Sequence, residues 1–158
     1  MTSPFNSPLE TGVRSLIILT AAFPNPYDLQ HLVFFDYLTV HSGDVDGIES
    51  PESLHAPLPM RAGELTVRRE LIERGLFLMI SRGLVRHLSS SDGFRYAATD
   101  DASAFLSMMS SPYILKLRDR AEWVIESFGN YSDEDIQYAE RSFFQNLSSP
   151  ERIGSSSL

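Results

Sequence analysis

The stretch from Glu64 to Ala98 constrains this chain more than any other part of it. Leu65, Ile72, Leu76 and Met79 recur at helical spacing, and Val67, Leu71 and Leu78 widen that stripe, which predicts a helix over 64–82. Gly83 follows where a left-handed stop is needed. Two short strand-like runs come next, Leu84–Leu88 and Phe94–Ala98, with Ser-Ser-Ser-Asp-Gly between them as a turn. Thr99 or Asp100 then stands at the cap of a further helix carrying Phe105, Leu106 and Met109. Helix, stop, hairpin and helix, in that order, make the pattern of a winged helix-turn-helix. The expected fold is therefore mainly α (α+β), with one β-hairpin wing and additional N- and C-terminal helices.

The flanking segments supply those helices. Residues 1–10 are rich in Ser and Pro and are expected to be disordered. A helix is expected from Thr11, with Val13, Leu16, Ile17 and Ala21 on its face, until Phe23-Pro24-Asn25-Pro26 ends it. Asp28 is placed as an N-cap for Leu29–Val40, a segment apolar nearly all round and so suited to the centre of a core. Residues 41–63 hold three glycines, three prolines and four acids and are expected to form a long loop. Ser111-Pro112 restarts the chain as N-cap and first helical residue, and Tyr113, Leu117, Ala121, Val124 and Phe128 form a stripe ended by Gly129. Ser132 and Asp135 have the spacing of a capping box for a last helix with Ile136, Phe143, Phe144 and Leu147. The expected organisation is a disordered 1–10, a winged-helix domain over 11–110 with its 41–63 loop, a helical extension over 111–147 and a disordered tail over 148–158.

Composition narrows the function. A chain of 158 residues that is 42% hydrophobic can bury a real core. The absence of cysteine removes disulfides, thiolate zinc sites and cysteine nucleophiles together and suits a reducing compartment. No signal peptide is visible at the start, and the apolar runs Leu16–Phe23 and Leu32–Leu38 are far too short to span a bilayer. A cytoplasmic protein without membrane contact is the expectation. The net charge of −8 is uneven: Arg61 to Arg95 carries seven arginines against four acids, or +3, and the remainder carries six bases against seventeen acids, or −11. A free-standing DNA binder needs a dominant basic face to displace counterions, whereas a subunit with one directional surface does not.

Three groups of residues could carry function. Arg68, Arg69 and Arg74 on the helix, with Arg86 and Arg95 on the hairpin, could meet DNA or an acidic partner; Glu70 and Glu73 on the same helix would neutralise much of that field. His41, Asp44, Asp46 and His55 offer imidazoles and carboxylates in one loop, yet their spacing matches no metal-ligand motif. A turn at Gly43-Asp44 with His41 capping the preceding helix explains them as well, and a partner-docking loop is the functional version of that reading. Trp123 lies off its helical stripe, as do Met108 and Tyr138, and such residues suit buried partner contacts. No nucleophile elbow, triad or phosphate-cradling glycine loop is present, so neither catalysis nor a cofactor nor a small-molecule substrate is expected.

The segments FDYLTVHSGDVDG (35–47), SLHAPLPMRAGELTVRRELIERGLFLMISRGLV (53–85), RYAAT (95–99) and SPYILKLRDRAEWVIESFG (111–129) together resemble middle component 2 of ABC-three-component systems, of the Lamassu anti-phage type. The resemblance implies a non-catalytic adaptor of a bacterial defence complex. Its partners would be an SMC/Rad50-like ATPase and a nuclease-type effector, with DNA met only through the assembled complex. It assigns no role to individual residues. From the residues alone, a stand-alone winged-helix transcription regulator is the alternative.

Overall fold

The computed structural model describes residues 7–41 and 61–148, with side chains over 7–41 and 65–142. Six helices and one hairpin follow in the order α1 (Pro8–Ala21), α2 (Leu29–Val40), α3 (Arg61–Ser81), β1 (Val85–Ser90), β2 (Gly93–Ala98), α4 (Asp101–Ser107), α5 (Pro112–Phe128) and α6 (Asp133–Ser148). The structure is thus mostly helical with a two-stranded antiparallel sheet.

The first helix starts earlier than the sequence pattern places it. Ser7, not Thr11, is the N-cap: its hydroxyl oxygen accepts the Glu10 N–H at 3.2 Å, and Pro8 occupies the first turn, where its missing N–H costs nothing. Thr11 instead donates its hydroxyl proton to the Ser7 carbonyl at 2.8 Å. Thr11 through Leu19 are all buried, because α1 is flanked by α3, α5, α2, α4 and β2. The α1–α3 crossing is the most extensive packing in the fold, and glycine makes it possible. A Cβ on Gly12 would lie 2.7 Å from the Gly75 carbonyl oxygen, and one on Gly75 would lie 2.5 Å from the Gly12 nitrogen. The two backbones touch with nothing between them.

The second central helix behaves as its composition demands. Leu32 through Val40 are buried on every side, and the Asp28 carboxylate accepts the His31 N–H at 2.9 Å as N-cap. On α3, Ile72, Leu76 and Met79 enter the core as expected, whereas Val67 is 58% exposed and does not widen the stripe. The helix ends in a Schellman pattern. Gly83 at φ +73° lets its own N–H reach the Ile80 carbonyl and the Leu84 N–H reach that of Met79, both at 3.0 Å.

The hairpin is longer and its turn tighter than expected. Pairing runs from Val85↔Ala98 to Ser90↔Gly93, which leaves only Ser91 and Asp92 as the loop, with Gly93 at φ +118°. Ser89 and Ser90 join the ladder because strand pairing uses backbone groups that any residue supplies. Neither candidate cap opens α4 with its side chain: Asp100 makes no capping hydrogen bond, and Thr99 donates its hydroxyl to the Gly83 carbonyl at 2.8 Å, closing the base of the hairpin. Tyr27 exchanges both backbone hydrogen bonds with Tyr96, at 2.9 and 2.8 Å, which ties the α1–α2 connection to the outer edge of β2. Ser111 caps α5, and Ser132 and Asp135 form the reciprocal capping box at 3.0 and 3.1 Å. The α5 stripe Leu117, Ala121, Val124 and Phe128 is buried, with Tyr113 beside it. No helix among the described residues is long and apolar enough to cross a membrane.

Candidate partner-binding surface

The register of the ribbon sorts its side chains. Arg86 and Arg95 belong to one face, diagonal to each other across the strands, and both are exposed. The opposite face carries a ladder of rings. His87 stacks on Tyr96 at 5.2 Å between centroids and leans on Phe94 at 4.7 Å, with Phe94 59% exposed at the outer end. One hairpin therefore offers two guanidinium groups on one side and an aromatic ledge on the other.

The helix before it contributes less positive charge than its sequence suggests. Arg68 is not on the surface. It is 6% exposed and ion-paired with Asp36, its guanidinium 5.7 Å from the Tyr37 ring centroid, because that position of α3 faces α2. Arg69 is exposed but lies 3.9 Å from Glu73, one turn on. Arg74 is exposed, and Phe77 beside it is 72% exposed. The outward face of α3 is a mixture of both charges with a large aromatic, not a basic stripe.

His41 is also interior. It is 1% exposed, sits at the C-cap of α2 with its N–H donating to the Tyr37 carbonyl at 2.8 Å, and packs its ring 4.8 Å from that of Tyr37. Asp44 and His55 lie outside the described residues, as does the rest of 42–60. Trp123 is half-buried, edge-on to Phe128 at 5.7 Å, so it belongs largely to the core margin. Met108 and Tyr138 are 77% and 69% exposed. A concavity of about 470 Å³ opens near Met108, between the start of α1 and the α4–α5 junction, walled by Leu9, Val13, Met109, Tyr113, Ile114 and Leu117.

Two constellations appear that the sequence pattern did not bring together. Arg14, Asp36 and Arg68 form a buried triad: Arg14 Nε and Nη2 donate to the two Asp36 oxygens at 2.9 and 3.2 Å, and Arg68 Nη1 donates to the second. Burial alone would raise the Asp36 pKa, but the two guanidinium charges and their hydrogen bonds overcome it and hold the carboxyl at about 2. Burial likewise works against the Arg14 charge, and Asp36 more than restores it. An acid inside a helix that is apolar all round is itself the signal, since such a group needs a cationic partner. The second constellation is Asp28, His31 and Asp133, each with one donor atom within 4.8 Å of the others. His31 Nδ1 is 2.7 Å from Asp28 Oδ1 and 3.6 Å from Asp133 Oδ1, and Nε2 is 2.8 Å from the Tyr131 carbonyl. Both ring nitrogens thus face acceptors, which leaves no lone pair for a metal while the ring stays protonated.

The family model described as ABC-three component (ABC-3C) system Middle Component 2 matches residues 4–149, nearly the whole chain. No curated protein and no solved structure matches it.

Proposed function

The chain belongs to the ABC-three component system Middle Component 2 family, and from that premise we propose that it is the non-catalytic adaptor of a Lamassu-like bacterial anti-phage complex. In this reading it bridges an SMC/Rad50-like ATPase and a nuclease-type effector, and its helix–hairpin unit works as a winged helix turned to protein contact. The observation that carries the reading is the hairpin with Arg86 and Arg95 on one face and the Phe94–His87–Tyr96 ledge on the other, set on a body of net charge −8. Guanidinium groups and exposed aromatics are what partner interfaces use as anchors. The α3 surface argues against the stand-alone regulator. A groove-reading helix presents bases to phosphates, whereas Glu70, Glu73 and an exposed Phe77 repel phosphate or leave apolar area in water.

The test is reconstitution with the products of the neighbouring genes. The expected result is co-purification with a large ATPase and loss of at least about tenfold in affinity on Arg86→Glu/Arg95→Glu, with unfolding unchanged in the single Arg86→Glu control, whose side chain is exposed on the ribbon. Assembly unaffected by the double reversal, or a specific duplex retarded by the chain alone, overturns the proposal.

A further inference from the structure

We propose that the His31 imidazolium is a protonation-dependent clasp that fastens the start of α2 to the turn between α5 and α6. The inference stands apart from the adaptor reading and would survive its failure. Its basis is the pair of acceptors on one ring. The Tyr131 carbonyl can only accept, so Nε2 carries a proton. Asp28 Oδ1 already accepts the His31 backbone N–H at 2.9 Å as the N-cap of α2, so it meets Nδ1 at 2.7 Å as an acceptor and Nδ1 carries a proton as well. The ring is 12% exposed and wedged 5.6 Å from Tyr27 and 5.8 Å from Phe35.

The charged groups around it come from three elements. Asp28 precedes α2, Asp133 opens α6, and Arg95 of β2 lines the same polar cleft and acts electrostatically on Asp28. Burial disfavours the charged ring; the Asp28 and Tyr131 hydrogen bonds and the two carboxylates outweigh it, so the group titrates above its ordinary 6.5. The sign follows from linkage. The clasp is fully closed below pH 6.5 and is lost as pH rises through the folded midpoint, when one nitrogen gives up its proton and faces an oxygen lone pair. The turn it fastens to α2 is also held by the Tyr27 hydroxyl, which donates to the Gly129 carbonyl at 2.9 Å, by the Tyr131 N–H on the Phe128 carbonyl at 3.0 Å, and by the Tyr131 ring, which packs on Phe34 at 6.2 Å and on Phe128 at 5.0 Å. Release there reaches Trp123 through Phe128, and Trp123 is the sole tryptophan of the chain.

Ring-nitrogen NMR of the full chain, titrated from pH 5 to 9, tests this directly. The expected spectrum shows both His31 nitrogens protonated at pH 6.5, a midpoint above that value, and a lower midpoint in Asp133→Asn. The Tm gap between wild type and His31→Gln should be widest near pH 6 and close at alkaline pH, with Trp123 fluorescence changing over the same range only in wild type. A bare ring nitrogen at pH 6.5, a midpoint below 6.5, or stoichiometric zinc uptake on Nδ1 overturns the proposal. Should His31→Gln fail to fold, the wild-type ring spectrum alone decides.

Discussion

Replacing Asp36 by Asn is an isosteric change that strikes the buried triad at its one acid. The side chain keeps its volume, so no cavity opens, and the whole effect is electrostatic. Two routes give its size. A carboxyl held at about 2 in the fold against an ordinary 3.8 contributes roughly 2–3 kcal/mol at neutral pH. That figure counts only the stabilisation of the charged acid. The substitution also leaves two guanidinium groups, 3% and 6% exposed, facing each other without the carboxylate between them. Breaking a buried pair from one side costs about 3–5 kcal/mol, and that larger figure governs here. For a domain of this size it corresponds to a Tm lowered by roughly 6–20 °C. Circular dichroism through urea and thermal unfolding at pH 7 measures it.

The pH dependence separates this mechanism from a general loss of packing. The folded-state pKa of Asp36 is depressed, so its contribution is complete above about pH 4 and disappears as pH falls toward 2. The wild-type and Asp36→Asn curves should therefore be far apart at pH 7 and converge below pH 3. Replacing the triad together, as Arg14→Met/Asp36→Leu/Arg68→Met, should recover most of the loss, because an apolar cluster of similar volume carries no desolvation cost. An Asp36→Asn protein within 1 kcal/mol of wild type at pH 7, or a gap that persists unchanged into acid, would refute the assignment of the triad as a buried charge network.

Gly12→Ala should cost more than 2 kcal/mol, since its methyl meets the Gly75 backbone at 2.7 Å and neither helix can yield without moving the α1–α3 crossing; chemical denaturation checks it, and a neutral result would mean that the helices stand further apart. Ser132→Ala should cost about 1 kcal/mol by removing the oxygen that accepts the Asp135 N–H, seen as a fall in Tm with helicity elsewhere intact. Phe94→Ser, at a ring 59% exposed, should leave stability within about 0.5 kcal/mol while weakening association with the partner subunit, read by the same co-purification as the arginine reversals.

Much of the architecture was legible because it rests on local rules. Gly83, Ser111-Pro112 and the Ser132/Asp135 box each satisfy orphan backbone groups with their own neighbours, so their chemistry can be read from adjacent letters. The failures share the opposite cause. Thr11 looked like a cap because Ser7 competes for the same role four residues earlier, and only Pro8 at the first turn decides between them. Arg68 looked like a surface residue because nothing near it in sequence reveals that α2 turns Asp36 toward it from 32 positions away. His31 and Tyr131 are 100 positions apart. Contacts of that range depend on how the helices cross, and crossing is fixed here by two glycines whose role is invisible until the backbones are seen touching.

Moving Arg68 indoors changes the functional argument as well as the fold. Five arginines on one outward surface could have met DNA or an acidic partner, with Glu70 and Glu73 opposing much of their field. With Arg68 committed to Asp36 and Arg69 set against Glu73, the exposed cations that remain are Arg74, Arg82, Arg86 and Arg95, with Glu70 and Asp92 as the opposing acids. In the adaptor reading proposed above, that small surplus orients an acidic protein surface before Phe94 and Phe77 are buried, whereas duplex affinity would depend on a larger one to release counterions. The two requirements pull apart with salt. Duplex binding through several phosphates would collapse as salt rises from 50 to 200 mM, whereas a contact closed by two exposed aromatics should keep most of its affinity and lose mainly association rate. A salt titration of the assembled complex that shows the steep dependence would transfer the hairpin from protein partner to DNA.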